Sequence, residues 1–306
     1  MERENDFSQG SIAKNILNLA VPMTLAQLIN VLYSVVDRVY IGHLQGVSAN
    51  ALTGIGLALP IITIITAFAN LFGMGGAPLC SIARGSHEEE KAEKVMGNSC
   101  SMLLFTGGLL MGIGLIFRKP LLYLFGASSA TFPYANAYIS IYLCGTVFVM
   151  ISLGMNQFIN SQGFGKIGML TVMLGAFTNI VLDLVFVLVF SWGVFGVALA
   201  TILAQICSWV FGIFYINRKY PFLHIRLFRM RLDRRLLGQV IRLGIPSAIQ
   251  ECQFAVGILI MQALINGFGN DFAAGFTAAN KIDTFAFMPI ESFSIAATTY
   301  VGQNMG

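Results

Sequence analysis

The sequence predicts an all-α membrane protein that crosses the bilayer several times, and three observations carry this prediction. Of its 306 residues, 56% are hydrophobic and 10% are charged, whereas a soluble domain carries about 25% charged residues. The mean hydropathy is +0.76. The apolar residues form long continuous runs rather than the alternating pattern of membrane β-strands. A soluble enzyme, a disulfide-rich secreted protein, a disordered chain and a coiled coil are therefore excluded.

Eight apolar runs are long enough to be membrane-spanning helices, since a helix needs about 20 apolar residues to cross the hydrocarbon core. The polar stretch before the first run mixes acidic and basic residues, and that run is too long for a cleaved signal peptide. The predicted segments are approximately 15–41, 54–80, 95–117, 135–158, 168–190, 194–217, 239–265 and 273–301.

The basic residues predict how the chain is oriented, because Lys and Arg accumulate in cytoplasmic loops. If the N-terminus is cytoplasmic, 14 of the 18 basic residues fall inside, two outside and two within spans. The outside pair is Arg118 and Lys119, and the two within spans are Arg38 and Lys281. We therefore expect a multi-pass protein of the cell membrane with a cytoplasmic N-terminus.

The domain organisation follows from a basic loop and an internal repeat. Residues 217–238 are rich in arginine, which is typical of a cytoplasmic linker that touches anionic lipid. The stretch L-N-L-A-V-P ending at Pro22 is matched after the linker by I-R-L-G-I-P ending at Pro246, and Gly85 and Gly306 end the second span of each unit. We predict an N-lobe at 1–216, a linker at 217–238 and a partial C-lobe at 239–306, with prolines and glycines allowing helices to bend.

The five cysteines lie far apart within or beside apolar segments and lack the spacing of disulfides or metal ligands. They are predicted to be small buried hydrophobic residues. No cofactor and no metal site is expected. The residues concerned are Cys80, Cys100, Cys144, Cys207 and Cys252.

Polar residues within the first, fifth and sixth segments predict an ion site, because an ionisable group at membrane depth is costly and indicates function. Asp37 follows Gln27, Asn30 and Ser34 on one helix face, and Asp183 lies one turn after Asn179. Two carboxylates close together in a low dielectric repel, so one should bind a proton readily. Carboxylate, amide and hydroxyl oxygens also suit a hard monovalent cation. The predicted site for H⁺ or Na⁺ is Asp37, Asn179, Asp183 and Thr201.

A second set of charged residues lies in the seventh and eighth segments. Asp283 and Glu291 are eight residues apart and are expected to face the protein interior together. Lys281 is expected to pair with Glu251, which would lower the cost of both charges. A structural ion pair and a role in substrate binding or coupling both remain open for Glu251, Lys281, Asp283 and Glu291.

The motifs of enzymes are absent or out of place. The sequence has no H-E-x-x-H, G-x-S-x-G or Walker motif. The G-x-G-x-x-G match at 163–168 connects two membrane helices without a βαβ unit, so it does not indicate dinucleotide binding. An intramembrane enzyme would need a nucleophile, a base or a metal set that the sequence does not offer. The protein is therefore not expected to be an enzyme or to bind nucleic acid.

The order and spacing of several stretches resemble the multidrug and toxic compound extrusion (MATE) transporters. These stretches are Val21-Pro22 through Asp37, Ile82-Ala-Arg-Gly85, Asn179-x-x-x-Asp183, Gly193-Val-Phe-Gly196, Ala198-Leu-Ala-Thr201 and Tyr300-Val-Gly-Gln-Asn-Met-Gly306. The resemblance implies two six-helix lobes, with Asp37, Asn179, Asp183 and Thr201 matching the N-lobe cation site. It also implies that Pro22 is the point at which the first helix bends, and it places Glu251 where some members carry a coupling acid.

The function that the resemblance implies is export of organic cations in exchange for H⁺ or Na⁺, by a monomer in contact with membrane lipid. Family members have about twelve spans and this chain has eight, so it is expected to be a fragment or truncated product with a complete N-lobe. Two alternatives remain. One is a lipid-linked oligosaccharide flippase of the same superfamily, which would favour a cationic cavity. The other is a truncated membrane protein that does not transport.

Overall fold

A computed structural model describes residues 7, 10–42, 48–219, 233–266 and 270–306, and within these ranges the chain forms nine α-helices and one π-helical turn. The π-helical turn is Leu184–Val189. The helices are α1 Ile12–Gly42, α2 Ser48–Gly85, α3 Glu89–Leu124, α4 Phe132–Cys144, α5 Thr146–Ser161, α6 Gly165–Asp183, α7 Gly193–Lys219, α8 Arg234–Asn266 and α9 Asn270–Met305.

The helices match the predicted spans in place and in character. Five of them (α1, α2, α3, α6 with its π-helical turn, and α7) are each long and apolar enough to cross a membrane, and α4 with α5 makes a sixth span. The seventh and eighth predicted segments lie within α8 and α9. Large apolar side chains such as Ile116, Leu124 and Phe177 project from the outside of the bundle, as expected of a surface that faces lipid rather than water.

The fourth predicted segment, 135–158, was expected to be one helix and is two. The axes of α4 and α5 meet at an angle of 60°, and Gly145 lies between them. Glycine is a common site of sharp kinks. A Cβ atom at Gly145 would collide with the side chain of Ile202 on α7, so glycine allows α7 to pack this close to the bend.

The fifth predicted segment, 168–190, also differs from a regular helix. Its last turn, from Leu184 to Val189, is π-helical. Just after this turn, the backbone amide of Trp192 donates a hydrogen bond to the carbonyl of Phe186 at 2.9 Å. A π-helical turn inserts an extra residue and is found most often at functional sites. It begins immediately after Asp183, one of the predicted ion ligands.

The predicted linker, 217–238, is shorter in the structure because helix enters it from both sides. Helix α7 continues to Lys219, and α8 begins at Arg234. The carboxylate of Asp233 accepts hydrogen bonds from the backbone amides of Arg235 at 2.9 Å and Leu236 at 3.3 Å, which is the standard N-cap of a helix. The basic stretch 220–232 lies outside the described residues.

The packing of α8 and α9 agrees with the predicted internal repeat. Helix α1 packs against α9, and α2 packs against α8 and α9. In the predicted repeat, α8 corresponds to α1 and α9 corresponds to α2. A pseudo-twofold axis that relates the two units therefore exchanges the α1–α9 contact with the α2–α8 contact. The predicted equivalents Gly85 and Gly306 show this exchange, because Gly85 lies against Gln303 and Gly306 lies against Ile82. Each glycine therefore touches the residue three positions before the other.

The α2–α8 contact and the α1–α9 contact are both made by glycine or alanine residues. A Cβ atom at Gly75 on α2 would lie 2.9 Å from the Cα atom of Gly244 on α8. On the equivalent contact, Ala20 of α1 and Ala296 of α9 are fully buried in one cluster. Ala20 and Gly244 each lie two residues before the predicted repeat prolines, and Gly75 and Ala296 each lie ten residues before the repeat glycines. Small residues allow helix backbones to approach closely within a membrane.

The prediction that the cysteines are buried holds for two of the five. Cys80 and Cys100 are buried, whereas Cys144, Cys207 and Cys252 are exposed on the bundle surface, and all five are free thiols. The reason for the error is that an apolar segment in a membrane protein has an apolar outer face as well as an inner one, so apolarity of the surroundings does not indicate burial.

Candidate functional site

The two acidic residues predicted to converge lie face to face. Helix α6 packs along α1 and α7, and this brings the carboxyl groups of Asp37 and Asp183 close enough to interact electrostatically. Asp183 is fully buried. Two ionised carboxylates have no proton to share, so this contact becomes a hydrogen bond only when one of them is protonated.

The oxygens of this buried acid pair (Asp37 and Asp183) lack other donors. Among the described residues, neither oxygen of Asp183 nor Oδ1 of Asp37 accepts a hydrogen bond from another group. A buried carboxylate without a donor or a cation is strongly unfavourable. The site is therefore organised to receive a proton or a metal cation and is unfavourable without one.

Asn179 and Thr201 are the other two predicted ion ligands, and Asn179 lies beside this pair on α6. Asn179 is one turn before Asp183 on α6, is 1% exposed and leaves both its Nδ2 and Oδ1 atoms without partners. The Thr201 hydroxyl on α7 donates to the Val197 carbonyl of its own helix at 2.9 Å, so its oxygen lone pairs are left to accept or to bind a cation. Both side chains line the same cavity.

Tyrosine side chains that were not predicted surround the buried acid pair. Tyr33, one turn before Asp37 on α1, interacts electrostatically with Asp37, and Tyr138 on α4 interacts with both aspartates. Tyr138 stacks on Tyr142 with ring centroids 6.2 Å apart. The spacing of Tyr33 from Asp37 was visible in the sequence, whereas the approach of α4 depends on the bend at Gly145 and had no sequence signal.

A cavity of about 170 Å³ extends from this region to α9. Tyr33 and Asn179 line one end, each one helical turn before an acid of the buried pair. Gln27 and Asn30 also line it, as predicted for one face of α1, but Ser34 does not and is exposed. Eight carboxamide side chains line the cavity: Gln27, Asn30, Asn70, Asn156, Gln157, Asn160, Asn179 and Gln205.

Part of this carboxamide lining is a hydrogen-bonded network that sequence analysis missed. Asn156 Nδ2 donates to the Thr171 hydroxyl at 3.0 Å, and Asn160 Nδ2 donates to Asn156 Oδ1 at 3.0 Å. Ser208 on α7 donates to the Thr171 carbonyl at 2.8 Å. These bonds join α5, α6 and α7. The spacing of Asn156 and Asn160, four residues apart in an apolar segment, was the available signal.

The second predicted set of charged residues does not form one cluster. Asn70 Nδ2 donates to Glu251 Oε2 at 2.8 Å, and Gln27 Nε2 donates to Glu291 Oε2 at 3.4 Å. Glu291 lines the cavity, whereas Asp283 does not, and the expectation that the two face the interior together stays a prediction. The side chain of Lys281 lies outside the described residues, and the expected pair of Lys281 with Glu251 stays a prediction.

Pro22 is buried in α1. Helix α1 continues through it without interruption. A proline within a helix leaves the carbonyl four residues earlier without its hydrogen bond, which weakens the helix at that turn. The role of Pro22 as a bending point therefore stays a prediction. The turn of α1 that contains it is weakened at the place where the bend is expected.

Comparison with known protein sequences agrees with these features. The MatE family model matches residues 22–185 and 246–306. The multidrug export protein MepA of Staphylococcus saprophyticus is 26% identical over 284 residues, which are 91% of this chain and 61% of that protein. The probable multidrug resistance protein YpnP of Bacillus subtilis is 25% identical over 306 residues, or 98% of this chain and 67% of that protein. The chain thus spans about three fifths to two thirds of these relatives.

Comparison with solved structures shows the same fold. A crystal structure of MATE in complex with MaD3S superposes with a TM-score of 0.91 at 24% identity, covering 99% of this chain and 68% of that one. An outward-facing multidrug resistance MATE family transporter of the MOP superfamily superposes with a TM-score of 0.90 at 24% identity, covering 99% and 67%. With a family model matched over most of its length, the chain belongs to the MatE family of transporters.

Proposed function

We propose that this protein exports organic cations across the cell membrane in exchange for H⁺ or Na⁺, by alternating access, with its N-terminus in the cytoplasm. The observation that carries the proposal is the buried acid pair, in which Oδ1 of Asp37 and both oxygens of Asp183 accept no hydrogen bond from the described residues. Such a site gains most from binding a small cation. The excess of basic residues in loops on one side supports the orientation.

Coupling follows from where the two acids are attached. Asp37 belongs to α1 and Asp183 to α6, so the repulsion between their ionised carboxylates acts across the α1–α6 contact. Binding of a proton or Na⁺ removes that repulsion and favours the conformation in which the two helices pack closely. A ligand shifts a conformational equilibrium by as much as its affinities for the two states differ. Ion binding would thereby drive the change that releases substrate outside, with the weak turn at Pro22 allowing α1 to bend.

The relatives support the substrate class. MepA of Staphylococcus saprophyticus is a multidrug export protein, and YpnP of Bacillus subtilis is a probable multidrug resistance protein. Both are longer than this chain. The carboxamide-lined cavity with Glu291 at its wall also suits a polar or cationic organic molecule.

The test is efflux of the fluorescent cation ethidium from cells that express the protein, compared with cells that carry the empty vector. We expect faster efflux, which is lost on adding a protonophore if H⁺ is the coupling ion, or on replacing Na⁺ with choline if Na⁺ is. Membrane expression is checked by immunoblot. Efflux equal to the empty vector, with the protein present in the membrane, would contradict the proposal. So would efflux that resists both treatments.

A further inference from the structure

A second, smaller cavity of about 30 Å³ lies among α3, α5, α6 and α7. It adjoins the carboxamide-lined cavity, because Ser152, Asn156 and Ser208 line both. Its other lining residues are mostly apolar, and none of the residues that line it carries a charge. The small cavity is therefore a neutral and partly polar space within the first seven helices.

Two buried polar atoms of residues that line the small cavity have no hydrogen-bond partner among the described residues. They are Oε1 of Gln162, at the end of α5, and Nε1 of Trp209, on α7. Gln162 is 3% exposed, and its Nε2 atom donates to Met96 Sδ at 3.8 Å, so its oxygen is the atom left over. Buried polar groups are nearly always hydrogen-bonded in folded proteins. One acceptor and one donor on the same wall therefore indicate a ligand that can both donate and accept.

The size and the chemistry of the small cavity select water as this ligand. A cavity of this size holds about one or two water molecules, and a buried water makes about three hydrogen bonds. An organic cation does not fit into this volume. A metal cation would be buried beside uncharged side chains, without a carboxylate to compensate its charge.

We propose that the small cavity binds an ordered water molecule that accepts a hydrogen bond from Trp209 Nε1 and donates one to Gln162 Oε1. Ser208 supplies the third partner. Its hydroxyl donates to the Thr171 carbonyl at 2.8 Å, so its lone pairs are left to accept the second hydrogen of the water. The inference goes beyond the proposed function, because it involves neither the coupling ion nor the substrate.

The water would position the end of α5, which is a contact point for α9. The carbonyl of Ser161, the residue before Gln162, accepts hydrogen bonds from Ser81 Oγ at 2.8 Å and from Gln303 Nε2 at 3.0 Å. Gln303 belongs to α9, so this carbonyl lies at the interface between the first seven helices and α8–α9. By joining Gln162 to α7, the water extends the hydrogen-bonded network of α5, α6 and α7 to this interface.

The direct test is an NMR contact between water and the Trp209 indole proton in the purified full chain labelled with ¹⁵N-tryptophan. The chain has two tryptophans, so Trp192→Phe leaves the signal of Trp209 alone. We expect a rotating-frame Overhauser cross-peak at the water frequency, with the sign that distinguishes contact from proton exchange. A Trp209 indole proton without this cross-peak would overturn the proposal.

A double-mutant cycle tests the bridge itself. Gln162→Met and Trp209→Phe each remove one partner of the water, and each should lower the melting temperature by roughly 2–4 °C. The double variant removes both polar groups, so it should lose clearly less than the sum of the two single losses. Gln162→Met combined with Trp192→Phe, which changes an exposed indole, is the matched control and should be additive. Additive losses in Gln162→Met/Trp209→Phe would contradict the bridge, and neither measurement depends on transport.

Discussion

Two pairs of acidic residues in the spans differ in how their charge is stabilised. They are the buried acid pair, Asp37 and Asp183, and the interface acid pair, Glu251 and Glu291. Asp37 and Asp183 lie close together on α1 and α6, and Oδ1 of Asp37 and both oxygens of Asp183 accept no hydrogen bond from the described part of the chain. Glu251 and Glu291 each accept a carboxamide hydrogen bond from the opposite side of an interface. The first pair is unfavourable until it receives a cation, whereas the second is tolerable in this conformation and depends on the interface remaining closed.

This difference indicates the event to which each pair responds. A site within one packed unit changes its energy when a proton or a small cation neutralises its charge. A site that spans an interface changes its energy when the two sides move, and the cavity beside it admits a larger molecule. The predictions below test this division of roles.

The largest effect is expected from the buried acid pair. Asp37→Asn or Asp183→Asn replaces a charged carboxylate by an amide of similar size, which removes the repulsion that ion binding relieves. Ion-driven ethidium efflux should fall to the level of the empty vector while the protein is expressed normally, as measured by fluorescence in whole cells. The control is Asp233→Asn, which changes an exposed helix cap. Normal efflux by Asp37→Asn would contradict the coupling role.

The next largest effect is expected at the close approach of α2 and α8. A side chain at Gly75 would collide with Gly244, and overpacking costs about 1–3 kcal/mol. Gly75→Val should therefore reduce ethidium efflux roughly five- to 150-fold by holding the two sides apart.

The matched control for Gly75 is another glycine of the same helix. A Cβ atom at Gly56 would meet nothing within 4 Å, so Gly56→Val should leave the efflux rate near that of the wild type. Equal efflux by Gly75→Val and Gly56→Val would show that the interface does not need to close at this point.

A moderate effect is expected at Pro22. Pro22→Ala restores a backbone hydrogen bond to the carbonyl of Asn18 and stiffens α1. We expect a higher melting temperature of the purified protein together with efflux that is slower by several-fold. Pro120→Ala in α3 restores the same kind of bond outside the site, so it should raise the melting temperature as well but leave the efflux rate unchanged. Slower efflux without a gain in stability would argue against a bending role.

The smallest effect is expected at Thr201. Its hydroxyl already donates to its own helix, so it offers only acceptor lone pairs to an ion. Thr201→Val removes this ligand at a cost of about 1 kcal/mol, or roughly a fivefold weaker response to the coupling ion. Thr201→Ser keeps the oxygen and should behave like the wild type in the same ion titration.

The sequence was sufficient for features that depend on residue type and spacing along one helix. The apolar runs predicted the spans, and the depth of Asp37 and Asp183 predicted that they would meet. The motif pair at Pro22 and Pro246 predicted a repeat whose equivalent helices do pack in exchanged pairs.

Features that depend on contacts between distant helices were not predictable in this way. The bend at Gly145 arises where α4 and α5 pass close to Ile202 of α7, and nothing in the local sequence distinguishes this glycine from many others. The bridge between Asn70 and Glu251 joins residues 181 positions apart, so it becomes visible only once α2 and α8 are packed together. The place of Asp283 stays a prediction, because helical periodicity fixes the angle between two residues but not which face of the helix is covered.

The most direct test of the division of roles is the melting temperature of the purified protein as a function of Na⁺ concentration at constant ionic strength, and of pH. An ion that binds the folded state stabilises it by mass action. We predict a saturable rise in the melting temperature with Na⁺ or with acidification for the wild type and for Glu251→Gln/Glu291→Gln. The rise should be absent from Asp37→Asn and Asp183→Asn. An unchanged ion response in Asp183→Asn, or its loss only in the interface variant, would contradict the account.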